Sequence, residues 1–292
     1  MDINNSRQPV ADPLSCYRSA MQTDTDIMHD YLHTLGSERL EHKAADISMR
    51  LHSCNRDWEH TFFITLARAF GFGKNSDTAE RWARSIPYNG IAKHRDNIVQ
   101  VLAMMLGQAG FLVPDFQYAD HISCVVEDAT LATLRAEYKF LADKFSLIPI
   151  DNSAWQFAYI RPNNFPVVRV VQFARLYNSG NINLAAVIDA SEVKEVQALF
   201  NKNKLSKYAV NLLIVNAVVP TLYAYGHYKG LPRLYQKARH WLNKLPAENN
   251  MYTRLWTQVA LPLKNAADSQ AILQLIKVRC KDRNCRSCPL KN

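Results

Sequence analysis

Glycine is scarce in this sequence, with 9 among 292 residues, and proline is modest at 12. Folds built from many short strands need such residues at their turns, so the shortage disfavours a β-sandwich or a β-barrel. No segment shows a strong strand pattern, whereas apolar residues recur at three- and four-residue steps along most of the chain. The sequence therefore predicts an all-α fold, a multi-helix globular array that ends in a short tail containing cysteines.

A secretory signal is also missing from the beginning of the chain. The first residues, MDINNSRQPVADPLS, contain neither an apolar run nor a preceding basic cluster. Six cysteines in a chain of this length do not form a disulfide scaffold, and their spacing suits reduced thiols or a metal site. These features together predict a cytoplasmic protein.

One apolar run is long enough to raise the question of a membrane span. The segment KYAVNLLIVNAVVPTLYAYG carries no charge between Lys207 and Lys229. Asn211, Asn216 and Pro220 interrupt its apolar residues, whose number is near the lower limit for spanning a bilayer. We therefore predict a helix buried in the protein core, with its asparagines hydrogen-bonded internally, and no membrane partner.

Acidic residues are unevenly distributed along the chain. Residues 1–150 contain 15 Lys or Arg and 19 Asp or Glu, whereas residues 151–292 contain 20 and 7. Residues 196–247 include no acid at all but eight bases. This asymmetry indicates a polyanionic partner for the second half, such as DNA or RNA; an ordinary basic surface, or a face that docks an acidic domain, is the alternative.

The same charge pattern suggests how the chain is organised. Residues 1–24 are polar and aperiodic, which predicts a disordered or loosely packed segment. We divide the rest into an acidic-to-neutral helical half, 25–150, and a basic helical half with the cysteine tail, 151–292, or alternatively one continuous domain, 25–292. Within these helices we expect Asn55 to cap NRDWEHTFFITLARAF and Pro166 to occupy a first helical turn.

Basic residues in the second half alternate with aromatic ones, most densely in YAYGHYKGLPRLYQKARHW. Aromatic faces can stack on bases while cations hold phosphates, although an amphipathic helix with a solvated basic face has the same pattern. The candidate nucleic-acid-binding residues are Arg161, Arg169, Arg175, Lys229, Arg233, Lys237 and Arg239.

The tail KVRCKDRNCRSCPLKN contains three cysteines, Cys280, Cys285 and Cys288. Zinc ions and iron–sulfur clusters are bound by thiolates, and a C-x-x-C pair can place two sulfurs on one metal. A fourth ligand is missing locally and would come from Cys54, Cys124 or a histidine. The alternative is a reduced tail, or a redox pair between Cys285 and Cys288.

Signatures of catalysis are sparse. GFGKNS, at residues 71–76, lacks the glycine spacing of a P-loop and is better explained as the end of a helix. No nucleophile elbow or dinucleotide fingerprint occurs, and the basic half has too few acids for two-metal phosphodiester hydrolysis.

Several phrases, taken in order, resemble the C-terminal part of a bacterial family known as domain of unknown function 2851. The phrases are SERLEHKAADI, DWEHTFFITLARAFGFGKNSD, GQAGFL, RPNNFPVVRVVQFARL, LLIVNAVVPTLYAYG, LPAENN and ADSQAILQLIKVRCKDRNCRSCPL. The resemblance runs from about Met28 to the end. It implies that this chain lacks the family's N-terminal region, which contains β-structure and looks nuclease-like.

The resemblance also places polar residues at motif positions, where they line a site or serve as caps and buried hydrogen-bonding groups. Besides Arg161, Arg169 and the tail cysteines, these are Asn164, Gln172, Glu248, Asn249, Asp268, Ser269 and Gln270. As a cap, Asp268 suits the start of a helix.

Three functions are compatible with the sequence. The preferred one is non-catalytic nucleic-acid binding with a metal-stapled C-terminus. The second is a scaffold that docks an acidic or nuclease-like partner domain. The third is an enzyme with an unrecognised helical active site around Arg161, Glu248 and Asp268.

Overall fold

The computed structural model describes residues 25–200, 204–259 and 263–280, and these residues form helices with no strand. The all-α prediction is therefore confirmed. We number the longer helices in chain order, counting two helices that contain a π turn as continuous. They are α1 Thr25–Ser53, α2 Trp58–Phe70, α3 Ser76–Ser85, α4 Tyr88–Ala92, α5 Ile98–Gln108, α6 Ala119–Val125, α7 Leu131–Phe145, α8 Pro166–Ser179, α9 Leu184–Asp189, α10 Val193–Leu199, α11 Lys207–Tyr228, α12 Pro232–Lys244, α13 Met251–Val259 and α14 Ala266–Leu275, which continues as a π turn to Cys280.

The chain divides into two compact units. Among the described residues, those within 44–241 form the larger unit, and those within 25–43 and 242–280 form the smaller one. The division suggested by charge, at residues 150 and 151, lies inside the larger unit. Residues 1–24, for which we predicted a loose segment, lie outside the described residues.

Helix α5 is central to the larger unit. Its residues Val101–Leu106 have no exposed surface, because the segment is apolar on every side and packs against α7 and α8. Helix α2 packs against α3, and its buried residues include Phe62, Leu66 and Phe70.

Local capping chemistry sets the helix boundaries. Pro166 occupies the first turn of α8, as predicted, since proline lacks the N–H that this position leaves unused. Asp57, rather than the predicted Asn55, caps α2: its carboxylate accepts the His60 N–H at 3.0 Å, whereas Asn55 has a left-handed backbone in the preceding turn.

The apolar helix α11 has the length and composition of a membrane span, yet 83% of its most apolar window is buried within the protein. Its Asn211 accepts a hydrogen bond from Gln197 at 2.7 Å, as predicted for a buried asparagine. A π turn at Ile214–Val218 precedes Pro220, whose ring and missing N–H cannot be accommodated in a regular α-helix.

The smaller unit has its own apolar cluster. Met28 and Leu35 of α1 pack with Trp256 of α13 and with Ala271, Ile272 and Leu275 of α14. Helix α14 is capped by Asn265, which accepts the Asp268 N–H at 3.0 Å, and not by Asp268 as predicted. Asp268 lies in the first turn and accepts the Lys264 N–H at 2.8 Å, so its carboxylate supports the same helix start.

Candidate anion-binding site

The larger unit contains an open pocket of about 520 Å³. Sites for small molecules typically occupy about 300–1,000 Å³. The pocket lies between the turn after α2, the loop and first turns around the start of α8, and the first turns of α11. Three of the residues selected from the sequence line it, namely Arg161, Asn164 and Arg169.

Arg169 is the cation of this pocket that donates to two side-chain oxygens. Its guanidinium donates through Nη2 to the Asn164 side-chain oxygen at 2.6 Å and through Nη1 to that of Gln172 at 2.8 Å. The same group lies over the Phe72 ring, with 4.3 Å from the guanidinium carbon to the ring centroid. Burial lowers the pKa of Arg169 to about 10, so it remains a cation at neutral pH.

Gln172 holds Arg169 from the next turn of the same helix. Residues three apart lie on one face of a helix, which allows the Gln172 oxygen to meet the guanidinium. The Gln172 amide nitrogen donates to the Lys204 carbonyl at 3.3 Å. Asn164 and Gln172 are neutral, so they orient the guanidinium without cancelling its charge.

Sequence reasoning missed Lys74, Phe72 and Tyr159, which also line the pocket. Lys74 lies with its ammonium nitrogen 5.3 Å from the Tyr159 ring centroid, and Tyr159 is 98% exposed. The segment GFGKNS does end helix α2, with Gly71 as its C-cap, and its next residues reach the pocket. The sequence signal for Lys74 is its position between Gly73 and Asn75, the N-cap of α3. From the sequence, we interpreted this segment only as a helix end.

The remaining candidate cations of the basic half have other partners or positions. Arg175 forms an ion pair with Asp128 at 3.0 Å and donates to the Val125 carbonyl. Lys237 donates to the carbonyls of Ile188 and Ala190 at the end of α9.

Three further candidates lie near tyrosines or at the surface. Arg239 lies over Tyr223, and Lys229 is exposed near Tyr225 and Tyr228. Arg233 is exposed on α12.

A second polar cluster lies in the smaller unit. Its residues come from three of the sequence segments that carry the family resemblance. Gln270 of α14 is buried, and its oxygen accepts from Arg39 at 2.7 Å and from Lys43 at 2.6 Å. Its nitrogen donates to the Glu248 carboxylate. Burial lowers the pKa of Arg39, and the charge of Glu248 partly offsets this effect.

The other polar motif residues of this unit have structural contacts as well. The Ser269 hydroxyl accepts the Glu248 N–H at 3.0 Å, and Asn249 accepts from Arg254 at 3.1 Å. Gln274, one turn beyond Gln270, contacts His42 of α1 at 2.9 Å. Arg161 belongs to the larger unit and Glu248 and Asp268 to the smaller one, so the three residues of the enzyme hypothesis divide between the units.

The metal prediction concerns residues that are mostly outside the described part of the chain. Cys280 is exposed at the end of the last described helix, whereas Cys285 and Cys288 lie beyond it. Within residues 25–200, 204–259 and 263–280, no three His, Cys, Asp or Glu side chains are grouped to hold a metal ion. A zinc or iron–sulfur site in the tail stays a prediction.

Comparison with known families gives one match. The model of a family described as "Protein of unknown function (DUF2851)" matches residues 4–208 and 200–251. The match begins well before Met28 and covers most of the chain, which corrects the prediction that only the C-terminal part of such a family is represented. No curated protein and no solved structure matches this chain.

Proposed function

The chain belongs to the DUF2851 family, for which no activity is defined, and on the basis of its basic pocket we propose that it binds single-stranded nucleic acid. The observation that carries the proposal is the composition of that pocket. Lys74, Arg161 and Arg169 line it, and its described lining residues include no Asp or Glu. Such a site has a strongly positive potential that attracts phosphate groups.

Aromatic side chains give the pocket a second property that suits nucleic acids. Tyr159 and Tyr208 line it and are both exposed. Bases of single strands stack on such rings, and this stacking is worth about 1–3 kcal/mol per base. A duplex keeps its bases stacked inside the helix, so exposed rings favour a single strand as the ligand.

We propose binding rather than catalysis at this pocket. Phosphodiester hydrolysis needs a general base or carboxylate ligands for metal ions. The described lining residues include no Asp, Glu, His or Cys that could supply either. Their amide, hydroxyl, guanidinium and ammonium groups are typical of phosphate recognition.

The proposal is tested by the salt dependence of oligonucleotide binding. The protein is titrated into a fluorescein-labelled single-stranded DNA and into an RNA of the same sequence. The salt concentration is varied from about 50 to about 200 mM, a range in which counterion release changes the affinity strongly. We expect the affinity to fall steeply with salt. Arg161→Gln and Lys74→Gln should each reduce the slope of log K against log salt by about 0.7, the value for one phosphate contact on a single strand.

Lys139→Gln is the matched control, because Lys139 is exposed on α7 and does not line the pocket. It removes the same charge from the same unit. Absence of binding at the lowest salt concentration would refute the proposed function. The same conclusion would follow if Lys139→Gln weakened binding as much as Arg161→Gln.

A further inference from the structure

Within the part of the chain that the structure describes, the cations that line the pocket differ from two neighbouring cations in having no carboxylate partner. Just outside it, Lys204 pairs with Glu127 at 3.0 Å, and Arg175 of the same helix as Arg169 pairs with Asp128. Both pairs lower the net positive charge that the neighbouring surface offers to a strand. Among the described residues, no carboxylate forms an ion pair with Lys74, Arg161 or Arg169.

A concentrated positive charge suits a concentrated negative one. A phosphodiester within a strand carries one negative charge, whereas a terminal phosphomonoester carries about 1.5 to 2 at neutral pH and has three strong acceptor oxygens. Arg169 is preoriented by Asn164 and Gln172, and it keeps N–H groups beyond the two that these residues use. Arg161 lies eight residues earlier, exposed at the mouth of the same pocket.

The size of the pocket agrees with a single terminal unit. A volume of about 520 Å³ is that of a small-molecule site, which can receive one nucleotide but not a run of several. Tyr159 stands beside it with nearly its whole side chain exposed, and its backbone is left-handed, with φ of 60°. A strained, exposed aromatic residue at the rim of a pocket is a candidate stacking platform.

We propose that the pocket receives the phosphorylated end of a single strand. The terminal phosphomonoester contacts Arg161 and Arg169, and the adjoining base stacks on Tyr159. This inference rests on the proposed function, since it specifies which part of a nucleic acid the pocket recognises. The recognising chemistry is that of a phosphomonoester, whether it is attached to the 5′ or the 3′ end.

The test compares four oligonucleotides of one sequence: 5′-phosphorylated, 3′-phosphorylated, unphosphorylated, and the same strand closed into a circle. They compete with a labelled 5′-phosphorylated strand at constant salt. We expect at least one phosphorylated end to bind about 10-fold more tightly than the unphosphorylated strand, because the terminal phosphate adds a charge-assisted contact to an arginine. The circle should bind no better than the unphosphorylated strand.

Variants separate end recognition from general attraction. Arg161→Gln should remove most of the preference for the phosphorylated end, whereas Lys139→Gln should leave the preference unchanged. Tyr159→Ala should weaken phosphorylated and unphosphorylated strands by the same factor, because it removes stacking and not phosphate contact. Thermal unfolding of each variant confirms that it is folded.

The outcomes for the two proposals differ. Equal binding of all four strands, reduced by Arg161→Gln, would refute end recognition and leave nucleic-acid binding supported. A circle that competes as well as a phosphorylated strand would have the same meaning. Failure of every strand to bind would refute both.

Discussion

The guanidinium of Arg169 lies over the ring of Phe72, 4.3 Å from the ring centroid, and this contact joins helix α8 to the turn that ends α2. The ring covers one face of the cation while Asn164 and Gln172 hold its edge. A cation fixed in this way loses little conformational freedom when an anion binds. The contact therefore explains how the guanidinium of a half-buried arginine is held in one orientation in the pocket.

Replacement of Phe72 tests this positioning. Phe72→Leu keeps an apolar side chain but removes the ring face, so we expect oligonucleotide affinity to fall about 2- to 5-fold, equivalent to the 0.5–1 kcal/mol of a cation–π contact. Phe72→Tyr retains the ring and should bind like the wild type. Anisotropy titration measures both, and an equal loss in the two variants would contradict the positioning role.

Glu80 connects three arginines in the larger unit. Its carboxylate accepts from Arg50 at 2.9 Å, from Arg68 at 3.0 Å and from Arg84 at 2.8 Å. The Arg50 and Glu80 side chains are only 10% and 16% exposed, so Glu80→Gln leaves the buried Arg50 guanidinium poorly compensated. We expect a loss of about 3 kcal/mol in the free energy of unfolding, measured with urea at pH 7.

Asp77→Asn is the control, because Asp77 pairs with the same Arg68 but is 89% exposed. It should change the free energy of unfolding by no more than about 0.5 kcal/mol. Equal losses in the two variants would contradict the assigned role of Glu80.

The same carboxylate gives the stability a pH dependence. Hydrogen bonds and charges from the arginines outweigh the effect of burial and lower the pKa of Glu80 to about 2, from 4.5. A lowered pKa stabilises the fold above the unfolded value and ceases to do so as the pH falls through the folded value. The stability difference between wild type and Glu80→Gln should therefore be constant above about pH 5 and decrease from there toward pH 3. A difference that stays constant down to pH 3 would contradict this account.

Two helical glycines should respond oppositely to alanine. A Cβ atom on Gly107 would lie 2.1 Å from the Tyr138 ring, so Gly107→Ala should lower the free energy of unfolding by about 1–3 kcal/mol. A Cβ atom on Gly36, inside α1, would lie 3.6 Å from its nearest neighbour, the Ala267 carbonyl oxygen, which is an ordinary van der Waals contact. Gly36→Ala should raise the stability by about 0.5–1 kcal/mol, since alanine is the better helix former. Urea unfolding measures both, and a stabilised Gly107→Ala variant would show that α5 and α7 are not closely packed there.

Gln270 is expected to be essential to the polar cluster of the smaller unit. Gln270→Leu fills the same space but leaves Arg39 and Glu248 without its amide, so we expect a loss of about 2–3 kcal/mol in unfolding free energy. Asn249→Ala, at the exposed position next to Glu248, should lower the free energy of unfolding by no more than about 0.5 kcal/mol. A neutral Gln270→Leu would show that the cluster does not contribute to stability.

Metal content tests the role of the tail cysteines. We expect purified wild-type protein to contain zinc or iron, and the triple replacement of Cys280, Cys285 and Cys288 by serine to lose it, since thiolates are the ligands. Elemental analysis of both proteins, purified in parallel, measures the difference. Equal metal contents in wild type and triple variant would refute the site.

The sequence alone determined which segments of this protein form helices. The apolar stripe of Phe62, Leu66 and Phe70, the proline at the start of α8 and the uniformly apolar α5 each produce their structure through neighbours in the chain. Helix formation and capping depend on contacts three or four residues apart, which a sequence pattern contains directly. The all-α fold followed from them.

Only the tertiary structure decided which cations are available to a ligand. Arg175 is neutralised by Asp128 and Lys204 by Glu127, whereas Arg169 meets only neutral partners and an aromatic ring. Long-range folding likewise brought Arg39, Glu248 and Gln270 together in the smaller unit. A count of charges along the chain cannot distinguish these cases, because Coulomb interactions depend on distance in space and on burial rather than on separation in sequence.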